Sequence, residues 1–339
     1  MNSLRAAAVA LLELPLDALA GVQDALAPSG PQAAHILELW HLMLGICGVV
    51  YIAVLVALGI ALWRAPRASA QTPPDTEPLH TAEAHLRRWV GGAIALSVIL
   101  LFVLLIASVR TDRALASLPT ADAVEIQLTA HQWWWEATYD ASDPGKRFTT
   151  ANELHIPVGQ PVRVALKSQD VIHSFWVPNL HGKKDLIPGH TITTAFRADA
   201  PGIYRGQCAE FCGYQHAKMA LLVVAGSPQQ YADWVARQRQ PANAPRSALQ
   251  QRGQQVFLRG TCPMCHAVLG TDANGESAPD LTHLASRRTL AAATLPNRPE
   301  HLAAWIIDPQ AIKPGVNMPQ NPLPPEALQA LLAYLESLT

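Results

Sequence analysis

Two clusters of metal-binding residue types carry the chemistry of this chain. The first runs Cys208-Ala209-Glu210-Phe211-Cys212-Gly213-Tyr214-Gln215-His216-Ala217-Lys218-Met219: two thiols, an imidazole and a thioether in a short stretch. A further histidine, His173, lies upstream between apparent strands, in Val171-Ile172-His173-Ser174-Phe175-Trp176. Three chemistries compete for these residues. Cys208 and Cys212 could form a disulfide in an oxidising compartment. Two cysteines and two histidines could hold structural zinc. The whole set could bind copper, which favours soft donors and stands at the top of the divalent affinity order. A disulfide gives no reason for either histidine and zinc none for Met219, so the donor types favour copper while the three remain open. The second cluster, Cys262-Pro263-Met264-Cys265-His266, is C-x-x-C-H. That spacing attaches a c-type haem through two thioether links and supplies His266 as an axial ligand. A zinc knuckle needs a second Cys/His pair at suitable spacing, and a thioredoxin-type site needs a βαβ context; neither accompanies it.

The elements that must position these clusters fall into an apolar front and a polar back. Leu42 to Leu62 and Trp89 to Val109 are two uncharged, overwhelmingly apolar runs, each long enough to cross a hydrocarbon core of roughly 30 Å. Arg64, Arg67, Arg87 and Arg88 in the loop between them outnumber Arg110 and Arg113 beyond the second. This predicts a cytoplasmic loop, with both termini and the C-terminal part on the periplasmic or extracytoplasmic side. Residues 1 to about 20 read as a degenerate signal or an interfacial helix, since Glu13 interrupts the short apolar stretch after Arg5. Beyond Val109 the period changes to two: 124–129, 154–158, 162–166, 191–197 and 219–224 read as strands, punctuated by Pro144-Gly145, Pro188-Gly189 and Pro201-Gly202. Short strands at this spacing predict a β-sandwich or Greek-key barrel. Alternation along such a strand would put Trp133 and Trp135 on one face and Trp134 on the other.

Gln229 to Arg239 reads as a helix and 240–246 as a Pro-rich linker, ahead of a small helical domain that closes with a helix from Pro325 to Leu338. The predicted organisation is therefore an N-terminal segment at 1–34, a two-helix transmembrane hairpin at 35–113, an all-β domain at 114–227, a helix and linker at 228–248, and an all-α domain at 249–339. Composition agrees. Half of the 339 residues are hydrophobic and only 15% are charged, against about 25% in a typical soluble chain. A net charge of −1 gives no global reason to expect nucleic-acid binding, and five cysteines are too few for a disulfide scaffold.

With these motifs in order, the chain resembles cytochrome c oxidase subunit II over roughly residues 30 to 235. The resemblance rests on His131-Gln132-Trp133-Trp134-Trp135, on His173-Ser174-Phe175-Trp176-Val177-Pro178, on Lys184-Asp185-Leu186-Ile187-Pro188-Gly189 and on the Cys208–Met219 loop. It implies a cupredoxin-like barrel holding a dinuclear copper centre, CuA. Cys208 and Cys212 would bridge the two coppers, His173 and His216 would each bind one, and Met219 and the Glu210 carbonyl would be weaker ligands. It also implies a magnesium ion at the contact with subunit I, involving the Glu210 side chain and Asp185, and an electron-input role for Trp133. The family usually has tyrosine where this chain has Trp134. Glu83 is the nearest candidate for a carboxylate at the mouth of a proton pathway in subunit I, displaced from the usual spacing. The C-terminal part resembles a class I cytochrome c, in which Met318 of Lys313-Pro314-Gly315-Val316-Asn317-Met318-Pro319 would be the second axial haem ligand. Together these resemblances imply a subunit II with a fused cytochrome c, like the caa-type haem–copper oxidases of bacterial inner membranes. Its expected partners are subunits I and III, membrane lipid, and cytochrome c or a quinol–cytochrome c oxidoreductase as donor. A nitrous-oxide-reductase-like chain, which also uses CuA, would need a histidine-rich catalytic domain that thirteen scattered histidines do not provide.

Overall fold

The computed structural model describes residues 23–65, 71, 83–140 and 143–339; Arg67 and the proposed leader over the first 20 or so residues lie outside them. Two compact units result, one of residues 35–117 and the other of the residues up to 34 together with 118–339.

The first unit is a helical hairpin. Helices α1 (Pro31–Arg64) and α2 (Glu83–Ala116) are 34 residues each, and their most apolar windows reach mean hydropathies of 2.6 and 2.9 with none of the window buried. At about 1.5 Å per residue, 34 residues span about 51 Å, so each helix continues past the predicted apolar span at both ends. Glu38, Leu39 and Leu42 near the start of α1 share a groove with Val103, Ile106 and Ala107 near the end of α2, which makes the pair antiparallel. Glu83 is the first residue of α2, where a carboxylate suits the positive end of the helix dipole.

The second unit begins with a barrel of two five-stranded sheets. One has the order β3-β2-β1-β5-β8 and the other β4-β10-β9-β6-β7. The strands are β1 Val124–His131, β2 Trp134–Tyr139, β3 Phe148–Ala151, β4 Glu153–Pro157, β5 Val162–Ser168, β6 His173–Trp176, β7 Lys184–Leu186, β8 Ile192–Phe196, β9 Gly202–Cys208 and β10 Ala220–Gly226. Alternation works as expected where a strand is long. Ile126, Leu128 and Ala130 on β1 turn inward beside Val162, Val164 and Leu166 on the parallel neighbour β5. They meet Phe175, Leu221 and Val223 of the opposite sheet in one core.

Two expectations change. His173 does not lie between strands; it is the first residue of β6, whose four residues are too few to display a period. Trp133 is not part of a strand with Trp135. The β1–β2 hairpin turns at Gln132 and Trp133, and β2 starts at Trp134. Trp133 and Trp135 are both buried, and Trp134 instead stacks on His131 with ring centroids 4.3 Å apart.

A helix α3 (Pro228–Gln238), opened by a Ser227–Gln230 capping box, lays Trp234 against Tyr139 and Phe148 at the base of the barrel. The linker leads into α4 (Ala248–Arg259), α5 (Pro299–Ile307), α6 (Pro309–Ile312) and α7 (Pro325–Leu335), with a two-residue hairpin of β11 (Thr289–Leu290) and β12 (Leu295–Pro296). Helix α7 stops at Leu335, short of the predicted Leu338, though Leu338 is still buried. Phe257 on α4 and Leu331, Tyr334 and Leu335 on α7 anchor this second core. The two helices cross at Gly253, where a Cβ would sit 1.9 Å from the Ala330 carbonyl oxygen. A backbone atom cannot rotate away, so only glycine permits this crossing.

Candidate functional site

The ends of β6 and β9, and the loop between β9 and β10, converge on one buried point. Cys208 closes β9, and its Sγ is 3.7 Å from Sγ of Cys212, 3.8 Å from Nδ1 of His173 and 3.2 Å from the Glu210 carbonyl oxygen. Cys212 Sγ is 3.6 Å from Nδ1 of His216 and 3.8 Å from Sδ of Met219. All six expected donors therefore lie around the two sulfurs. Both thiols are free, and their separation is far beyond the roughly 2.05 Å of an S–S bond. One tetrahedral zinc would use only four of these donors. A pair of soft metal ions would use all of them.

The electrostatics prepare the site. The hydrogen bond shared with Cys212, against the cost of burial, holds the Cys208 thiol far below its ordinary range. Burial pushes His173 down, but hydrogen bonds to Asp170 and Cys208 outweigh it and raise its pKa.

Asp170 was not singled out in the sequence, and it matters. Its Oδ1 lies 2.7 Å from His173 Nε2, which turns Nδ1 toward Cys208. Its Oδ2 accepts from the backbone N–H of Gln132 at 2.6 Å. One carboxylate thus fixes both the histidine ring and the turn that carries Trp133. The signal available was a carboxylate three residues ahead of a candidate ligand. Removing such a support lowers metal affinity by about 10–100-fold. Asp170→Asn is accordingly expected to lose copper to a chelator at a correspondingly lower concentration than wild type, read by the visible absorption of the copper centre.

Trp133 is attached to the same point. Its indole Nε1–H donates to the Cys212 carbonyl at 2.8 Å, and Gln132 Nε2 donates to that oxygen at 2.8 Å as well. Trp133 is only 8% exposed, and Gly315 and Lys313 of the C-terminal domain lie against it. Phe211 and Tyr214 on the same loop are the strongly exposed aromatics.

Glu210 turns its side chain away to Lys183, with Oε2 to Nζ at 3.3 Å. Asp185 sits opposite Ser174 in the β6–β7 ladder, and the Ser174 carbonyl accepts from Ala209 N–H, so both carboxylates belong to one end of the barrel. Asp185 Oδ1 is buried without a hydrogen-bond partner.

In the helical domain, Cys262 and Cys265 are free and a single 3-10 turn apart. His266 Nδ1 donates to the Pro279 carbonyl at 2.7 Å. This leaves Nε2 for a metal, and burial pushes the ring toward its neutral, ligating form. Arg287 lies near enough to depress His266 further, and its Nε is buried without a partner; a haem propionate would satisfy it. These residues fit a covalent haem. Met318 ends a loop whose shape is set by Gln310, which donates to the Val316 and Met318 carbonyls and accepts from Gly315 N–H. The competing residues are otherwise occupied. Met264 is 75% exposed, and both ring nitrogens of His283 face carbonyls, of Thr339 and Gln240.

A two-helix membrane anchor, a cupredoxin-like barrel with a six-donor soft-metal cluster and a helical domain with a haem-attachment motif define a membrane-bound electron-transfer protein with two redox modules. Comparison with known proteins narrows this. Residues 141–226 match the family model of the cytochrome c oxidase subunit II periplasmic domain, and residues 250–339 match that of cytochrome c. The chain is 36% identical to cytochrome c oxidase subunit 2 of Alkalihalophilus pseudofirmus, over 93% of this chain and 90% of that one. It is 31% identical to the subunit 2 of Bacillus sp. PS3, over 71% of each. Among solved structures it is similar to the periplasmic domain of subunit II of the Bradyrhizobium japonicum oxidase, 32% identical with a TM-score of 0.33, covering 36% of this chain and 96% of that one. The chain belongs to the cytochrome c oxidase subunit II family and carries a fused cytochrome c domain. It is accordingly a membrane protein with a periplasmic domain, and it works together with other subunits of a haem–copper oxidase.

Proposed function

We propose that this subunit takes electrons from an external donor at a haem c, held by Cys262, Cys265, His266 and Met318, and delivers them through CuA to subunit I, where oxygen is reduced and protons are translocated. Cys208, Cys212, His173, His216, Met219 and the Glu210 carbonyl would together hold the copper pair. The observation that carries this reading is the convergence of all six donors on the two sulfurs. When bound, the copper pair and the haem each supply a one-electron carrier, and a methionine–histidine pair keeps the haem potential high.

The chain's own residues supply rigidity and dryness. Asp170 and the buried β6 strand fix His173. Trp135 sits edge-on to the His173 ring with centroids 6.2 Å apart and excludes water behind it. A site that cannot rearrange between redox states exchanges electrons over a small driving force. Trp133 is the electron-input side chain, bonded to the peptide of a copper ligand. Glu210 and Asp185 would face subunit I and hold a magnesium ion at that contact; the unpaired Asp185 oxygen supports this. Glu83 at the start of α2 stands at the mouth of a proton pathway in subunit I. Further partners are subunit III and a donor that is cytochrome c or a quinol–cytochrome c oxidoreductase, and the redox domains and both termini lie on the periplasmic side of a bacterial inner membrane.

Affinity purification from native membranes tests the reading. The chain is expected to bring down a haem–copper subunit I in a complex that consumes oxygen with a reduced c-type donor. Intact chain recovered without that subunit would refute the oxidase assignment.

A further inference from the structure

The seam between the barrel and the helical domain is closely fastened. Glu153 Oε1 on β4 accepts from the backbone N–H groups of Arg288 and Thr289, at 2.6 and 3.1 Å. Ala220 N–H donates to the Ala292 carbonyl at 3.2 Å. Gln215, next to the copper-site His216, donates to the Pro314 carbonyl at 2.7 Å, and Lys218 Nζ reaches the Ile312 carbonyl. The helical domain holds an unusual shape to do this. Ala291, Ala292 and Ala293 are three successive left-handed residues, with φ of 53, 58 and 54°. Such backbone is strained for a residue with a Cβ and persists only where its surroundings fix it. Here it aims the Ala291 and Ala292 carbonyls at the seam.

At the centre is Lys313. It belongs to the loop that ends in Met318, yet it is only 2% exposed. Its Nζ donates to the Trp133 carbonyl at 3.0 Å and to the Ala291 carbonyl at 3.1 Å. Just beyond it, a Cβ on Gly315 would lie 3.8 Å from the Trp133 ring, and Val316 packs on the barrel core. A buried amine is costly unless its hydrogen bonds are made, and nothing in haem attachment or copper ligation calls for a lysine here. We propose that Lys313 is a positioning residue for electron transfer between the two redox domains, fastening the Met318 loop onto Trp133 so that electrons leave the haem domain through that indole toward Cys212. This rests on the redox assignments proposed above. Burial, with the Lys218 charge nearby, pushes the Lys313 amine down to about 7. Two carbonyl acceptors face one compact amine. Arginine, always charged and forked, cannot replace it there.

The test uses the assembled oxidase carrying Lys313→Met. After flash reduction of haem c by a tethered photoreductant, the rate at which CuA is reduced is expected to fall by roughly tenfold or more, since a small misplacement of reacting groups has large rate effects. The haem and copper spectra, both midpoint potentials, and the rate at which an external donor reduces haem c are expected to match wild type. Pulsed magnetic resonance between the oxidised haem and CuA is expected to show one narrow distance in wild type and a broadened distribution in the variant. Lys313→Arg is expected to behave like Lys313→Met. Transfer at the wild-type rate, an unchanged distance distribution, or full recovery in Lys313→Arg would overturn the proposal. Lys313→Gln, which keeps an N–H donor on a shorter stem, takes the same readings if Lys313→Met does not assemble. Absence of a haem or copper signal in wild type would instead refute the underlying redox assignment.

Discussion

Replacing Cys212 with serine is expected to abolish the copper signal of this protein while leaving its covalent haem intact. Cys212 Sγ sits at the middle of one half of the site, with Cys208 Sγ, His216 Nδ1 and Met219 Sδ all within 3.8 Å. A serine hydroxyl is harder than a thiol and does not ionise near neutral pH, so it replaces a bridging thiolate poorly. Cys208 also loses the neighbour whose thiol holds its own proton affinity down. The damage stays local, because Cys262, Cys265 and His266 lie in the helical domain, whose core, closed by α4 and α7, is separate from that of the barrel. Electron paramagnetic resonance and the reduced-minus-oxidised optical spectrum of the purified variant read both centres at once. Loss of both signals, or of neither, would contradict independent sites.

The second large effect is expected at Met318. Exchange for histidine keeps the haem covalently attached but removes the thioether that raises its potential. Axial ligands tune haem potentials over about 0.8 V, and each 59 mV or so is tenfold in a one-electron equilibrium. A drop on the order of 0.2 V therefore costs about three decades in reduction by an external donor. The inward step to CuA keeps or gains driving force. Turnover with an external donor should collapse, while photoreduced haem still empties into copper. Redox titration of Met318→His against Met264→Leu checks this. An unchanged potential in the first, or a lowered one in the second, would move the axial ligand to Met264.

These expectations were largely legible in the sequence because ligand chemistry is local. The Cys208–Met219 loop and Cys262–His266 display their donors at fixed spacing, and α1 and α2 advertise themselves by hydropathy. The parts that were not legible depend on distant pairing. Asp170 acquires its role only because β1 lies beside β5 and brings the Gln132 turn over the residues that follow Ser168. Trp133 read as part of a strand because three adjacent tryptophans fit alternation; the hairpin turn that displaces it is fixed by the β1–β2 register. Four-residue β6 and three-residue β7 are too short for any period, and tertiary burial makes them strands. Nothing local in the run Lys313–Pro319 marks Lys313 for burial. Its burial follows from a seam that joins residues 180 positions apart, which no local pattern encodes.

The central claim is that one polypeptide holds a copper pair and a haem as two distinct carriers. Electron paramagnetic resonance of the oxidised wild-type protein, with copper and haem quantified on the same sample, tests it most directly. The account predicts the mixed-valence hyperfine pattern of one unpaired electron shared by two copper nuclei, alongside a low-spin ferric haem that resists acid–acetone extraction. A mononuclear copper pattern, zinc in place of copper, or an extractable haem would contradict it.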